Sequence, residues 1–149
     1  MKIADILDEL AVFQGFPYGD LATIAAYLNL EQVPKGEVIF SEGDPGTYLL
    51  ILCQGRVAIF KGGEHGSQLL SLEERGRIVG EMALLDHESR SASCIADTDC
   101  ELLILSEENL KKLAAEHSAV AYRLMLCIAR LLSRRLRRAS GIVADFLGT

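Results

Sequence analysis

No uninterrupted apolar run in this chain of 149 residues is longer than Tyr48–Cys53. A membrane-crossing helix needs about 20 apolar residues, so no membrane partner is expected. The N-terminus, Met1-Lys2-Ile3-Ala4-Asp5, reaches an acidic residue too early for a secretory signal. The cysteines at 53, 94, 100 and 127 include no Cys-x-x-Cys pair, and His65, His87 and His117 are scattered. Zinc and iron–sulfur sites use tighter spacing, so no metal is expected. The thiols read as small buried side chains in a reducing compartment, and the chain as cytoplasmic. Repeats and low-complexity segments are also missing.

What remains is a globular composition, 50% hydrophobic and 24% charged. The length suits one domain, 1–149, large enough to fold without a disulfide or metal staple. Charge is unevenly spread. Residues 117–149 carry six arginines against Asp145, a net +5, which leaves −11 on residues 1–116 and −6 overall. An acidic body argues against duplex binding, so no nucleic-acid partner is expected. The basic stretch reads as the solvated face of a helix end.

Hydrophobic period divides the chain into three. Over residues 1–30, Ile3, Ile6, Leu7 and Leu10 recur at helical spacing; Pro17 and Gly19 interrupt, and Leu21, Ile24 and Leu28 resume. Over 31–105, short apolar runs are separated by Gly, Pro, Asp and Ser, with turns at Gly43-Asp44-Pro45-Gly46 and Gly62-Gly63. That grammar predicts an antiparallel β-roll, or jelly roll. Over 106–145 the helical period returns. Ser106 is suited to cap one helix, with Glu107 and Glu108 in its first turn. A longer helix follows from about Ser118. The fold class is therefore α+β.

The chemistry concentrates at residues 78–93, Ile-Val-Gly-Glu-Met-Ala-Leu-Leu-Asp-His-Glu-Ser-Arg-Ser-Ala-Ser. Glu81–Leu85 supports little more than one helical turn, opening after Gly80, which permits close backbone approach. Arg90 follows amid small residues and offers a donor fork matched to phosphate. A carboxylate beside it suits a sugar diol. These residue types describe a phosphosugar pocket; Glu81 and Arg90 could equally form an ordinary surface ion pair.

The segment Gly80-Glu81-Met82-Ala83-Leu84-Leu85-x-x-x-x-Arg90-Ser91-Ala92-Ser93 closely resembles the phosphate-binding cassette of cyclic-nucleotide-binding domains. Gly43-Asp44-x-Gly46 and Gly55-x-Val57 resemble that family's turn-and-strand signature. The resemblance implies a β-roll with a short phosphate-binding helix between strands, N-terminal helices and two C-terminal helices. It also implies that cAMP or cGMP is the ligand, with no other cofactor. Glu81 would accept the ribose 2′-hydroxyl; Arg90, with Ser91, would hold the cyclic phosphate. Backbone N–H groups of Met82, Ala83 and Ala92 would complete the cradle, with Gly80 allowing close approach, and Ser140 would lie near the purine. Ser89 replaces the proline common before the arginine, and Leu50 replaces a common aromatic; neither removes a ligand contact. The base is left open by Ser91, with cAMP favoured.

The resemblance further implies a non-catalytic sensor that signals through movement of its C-terminal helices. A jelly-roll enzyme would need a metal triad the histidines do not supply. An interaction module of the same fold, without nucleotide binding, is the alternative. Activators of the family continue into a helix-turn-helix; here the sequence stops at Thr149, so a separate effector protein is expected, and Met1 reads as a natural start. The apolar helix over 118–140 is expected to form a homodimer, with Ala119, Tyr122, Met125, Leu126 and Ala129 on one side and Leu124 and Ile128 available to the seam. The arginines past Leu132 are expected to end the tight contact.

Overall fold

A computed structural model describes residues 2–62 and 66–148. His65 and the second glycine of the Gly62-Gly63 turn lie outside the described residues. The chain opens with α1 (Ile3–Glu9), a 3-10 turn (Ala11–Phe13) and α2 (Tyr18–Ala25). Gly19 does not interrupt anything: it sits in the first turn of α2, which begins directly after Pro17.

Eight strands follow: β1 (Asn29–Val33), β2 (Val38–Phe40), β3 (Tyr48–Gln54), β4 (Arg56–Lys61), β5 (Gln68–Glu74), β6 (Ile78–Val79), β7 (Ser93–Ala96) and β8 (Cys100–Ser106). They form two antiparallel four-stranded sheets, ordered β1-β8-β3-β6 and β2-β7-β4-β5. This is the jelly-roll arrangement, with α3 (Glu81–Asp86) inserted between β6 and β7. β1 starts inside the segment read as helical. Its sequence, Asn-Leu-Glu-Gln-Val, is mostly exposed and carries little strand signal; antiparallel pairing with the apolar β8 decides its conformation.

The Tyr48–Cys53 run is explained by β3, which is buried on both faces. Leu49, Ile51 and Cys53 point into a core shared with the helices, whereas Leu50 and Leu52 point between the sheets against Val57, Cys94 and Leu102. Fully burying each such side chain is worth about 1.5–3 kcal/mol. Burial also pushes the Cys94 thiol up to about 12 and Cys53 to about 11, so both stay neutral.

Ser106 caps α4 (Glu107–Glu116), its hydroxyl accepting from the Asn109 N–H at 3.1 Å. The last helix, α5 (Ser118–Phe146), is one uninterrupted element. Ala121, Leu124 and Ile128 are buried in the core of their own domain with Leu7, Phe13 and Leu113. This corrects the expectation that Leu124 and Ile128 are available to a seam between copies. No helix among the described residues is long and apolar enough to cross a membrane.

Candidate functional site

Two motifs far apart in sequence are joined by backbone hydrogen bonds. The Arg90 N–H donates to the Asp44 carbonyl and the Gly43 N–H to the Arg90 carbonyl, both at 2.8 Å, and Pro45 bridges Ser89. The tight turn at 43–46 thus fixes the strand-like approach to Arg90. Gly46 lies against α3 so closely that an added Cβ would stand 2.1 Å from the Ala83 Cβ. Gly80 ends β6 and caps α3 with φ +83°, and a Cβ there would fall 2.4 Å from Arg90 Nη1. Only glycine supplies both that backbone and that space.

Arg90 is 3% exposed. Its Nη1 donates to the Gly80 carbonyl at 2.9 Å and its Nη2 to the Tyr48 carbonyl. Its guanidinium lies 4.2 Å from the Phe40 ring centroid and 4.8 Å from that of Tyr48, within cation–π range. Burial pulls its pKa below the ordinary arginine value, and Tyr48, Cys94 and Asp44 pull it back up. Glu81, 4% exposed, opens α3. It pairs not with Arg90 but with Arg135 of α5, Nη1 to Oε1 at 2.6 Å. The surface ion pair between Glu81 and Arg90 is thereby excluded.

These groups line one cavity of about 240 Å3. Gly80, Glu81, Met82, Ala83, Arg90, Ser91 and Ala92 all contribute to its wall, so the structure brings together every expected site residue but one. Ser140 does not line it; it lies exposed on α5, beyond Arg135. The rest of the wall comes from strand residues Phe40, Ile59, Ser71, Glu73, Ile78 and Val79, from Asp86, Glu88 and Ser89 between Ala83 and Arg90, and from Arg135 of α5.

Arg135 also lines the cavity, whereas the sequence reading places it with the solvated helix end. A signal existed. Leu124, Ile128, Leu131 and Arg135 are spaced four, three and four apart, so Arg135 continues the stripe that faces the body. Two buried donors, Arg90 Nε and Arg135 Nε, have no acceptor among the described residues. Such groups are rare in folded proteins.

Comparison with known proteins agrees with this architecture. The family described as "Cyclic nucleotide-binding domain" matches residues 30–117. The chain belongs to that family. It is 28% identical, over 97% of its own length, to the CRP-like cAMP-activated global transcriptional regulator of Mycobacterium tuberculosis. It is 37% identical, over 86% of its length, to the cyclic AMP receptor protein of Thermus thermophilus. The chain spans 63% and 58% of the lengths of those two regulators. A cyclic nucleotide-binding domain from Methylobacillus flagellatus KT superposes with a TM-score of 0.83 at 28% identity, covering 97% of this chain and 82% of that one.

Proposed function

We propose that this domain is a non-catalytic sensor that binds a cyclic nucleoside monophosphate, cAMP in preference to cGMP, in the cavity lined by Glu81 and Arg90. One observation carries the reading: a buried carboxylate and a buried guanidinium stand on the wall of a single cavity, covered by an arginine from the terminal helix. Glu81 accepts from the ribose 2′-hydroxyl. Arg90 and Ser91, with the first-turn N–H groups of Met82 and Ala83 and that of Ala92, face the cyclic phosphate. An anion there supplies acceptors to the two unpartnered Nε donors. The named relatives that respond to cAMP support that nucleotide as the ligand.

Signalling follows from the Glu81–Arg135 pair. A ribose at Glu81 competes with or re-aims Arg135, and α5 is the element that moves. Ser140 reaches a base only once α5 shifts or a second copy presents it. A partner protein reads the helix; nucleic acid is not the partner of the acidic body. Domain bounds of 1–149 and a cytoplasmic setting belong to the same reading.

The dimer is also part of it. Tyr122, Ala129, Leu136 and Val143 recur every seven residues on α5, and Tyr122 and Leu136 are 67% and 68% exposed. Two such stripes packed together form a coiled-coil seam. It runs past Leu132, where the arginines were expected to end it, and leaves Leu124 and Ile128 inside each domain.

A second reading rests on the ion pair itself: Glu81 is satisfied by Arg135 and both Arg90 Nη atoms by carbonyls, so the fold stands as an interaction module without nucleotide. Calorimetry with cAMP and cGMP separates the two. Saturable heat with cAMP, weaker with cGMP, is the expected result, and no heat with either leaves the interaction module.

A further inference from the structure

On the flank of α5 away from the nucleotide cavity, a second groove of about 480 Å3 runs between the helix and the loop that precedes α2. Val12, Phe16 and Pro17 line one wall, and Leu126 and Cys127 the other. The Cys127 thiol donates to the Val12 carbonyl at 3.3 Å, closing the floor. Arg123, Arg130 and Arg134 stand over it, at spacings of seven and four that put them on one helical face. No carboxylate among the described residues lines the groove.

The charges there are unequal in a telling way. Arg123 is held by a bidentate pair to the buried Asp20. Arg75, Arg77 and Arg135, in the adjoining groove and cavity, are answered by Glu9, Glu73 and Glu81. Arg130 and Arg134 have no acidic partner among the described residues, although the body of the chain is strongly acidic. They lie one turn apart, where like charges repel. Both residues line the groove beside Cys127, whose thiol pKa is raised by burial and lowered in part by Arg134 and Arg130.

We propose that this groove binds a small organic anion with an apolar body. Its charged head lies between Arg130 and Arg134, and its body rests on Val12, Phe16 and Leu126. An anion between the two forks relieves their repulsion and makes charge-assisted hydrogen bonds. The apolar floor selects against bare inorganic anions. Tyr122, Leu136 and Val143 of the proposed seam are not among the residues that line the groove.

The test is calorimetric titration of the full chain with decanoate, with 1-decanol and inorganic phosphate as separate arms. Decanoate is expected to bind saturably and more tightly than either. Arg130→Gln and Arg134→Gln, both exposed and free of core contacts, should each weaken decanoate binding by about tenfold or more. Arg137→Gln and Arg138→Gln, on the same helix but outside the groove, should leave it unchanged. Absence of decanoate binding overturns the proposal, as does equal affinity for decanol or phosphate. Equal weakening by all four variants overturns it too, since that reports diffuse charge rather than a site. None of these outcomes depends on the nucleotide cavity, which contains neither Arg130 nor Arg134.

Discussion

Arg135 and Glu81, fifty-four positions apart in sequence, meet at 2.6 Å in a pair whose carboxylate side chain is 5% exposed. The last helix is thereby tied to the first residue of α3, inside the cavity proposed for the nucleotide.

Glu81→Gln keeps an acceptor for a hydroxyl but removes the charge. The preference for cAMP over its 2′-deoxy analogue should shrink, while cAMP itself still binds. Titration of both ligands against wild type and variant measures this, and an unchanged preference removes Glu81 from the ribose contact. In a double-mutant cycle with Arg135→Gln, the two changes should be non-additive by about 0.5–3 kcal/mol in thermal stability.

Arg90→Ala should abolish measurable binding, because a fork to a buried anion makes two charge-assisted bonds worth roughly 1.5–3 kcal/mol each. It should also lower stability, since Arg90 bonds the Gly80 and Tyr48 carbonyls and packs on two rings. Arg90→Lys separates the effects: the charge remains and the fork is lost. Wild-type affinity in a folded Arg90→Ala variant would remove the phosphate site.

Gly80→Ala places a methyl group 2.4 Å from Arg90 Nη1 on a backbone at φ +83°. The strained backbone costs about 1–3 kcal/mol, and the guanidinium must move. A melting temperature lower by several degrees should accompany weakened nucleotide binding. Gly36→Ala, also at positive φ but with nothing within 4 Å of the added Cβ, should share the strain and spare the binding.

How much of this was legible in advance differs by element. The roll and the capping Ser106 follow from period and turn chemistry, both local properties; the cassette around Gly80 and Arg90 was carried by its resemblance to the family, since residue type alone left a surface ion pair open. β1 was not legible, because Asn29–Gln32 has no alternation and a single apolar residue, Leu30, and pairs only as β8 dictates. Arg135 was hidden by its neighbours: among four arginines in five positions, only its phase with Leu124, Ile128 and Leu131 marks it as inward. Ser140 stands off the cavity wall for the opposite reason, since position relative to a family pattern does not guarantee contact within one copy.

The seam prediction follows from that same phase. Leu136→Glu should convert a dimer to a monomer in sedimentation equilibrium and leave the fold intact. Leu124→Glu, buried against Leu113 and Leu7, should instead unfold the domain. A monomeric wild type, with or without cAMP, refutes the seam.

α5 runs through 29 residues without a break, a rod of roughly 43 Å at 1.5 Å per residue. Arg135 sits about three-fifths of the way along it. If the rod pivots at Ser118, a sideways step at Arg135 is magnified about 1.6-fold at the far end by the ratio of helical rises. Under the proposed reading, exchange of one ion pair for one ribose becomes a lever stroke. A partner gripping the tip then senses the cavity without touching it.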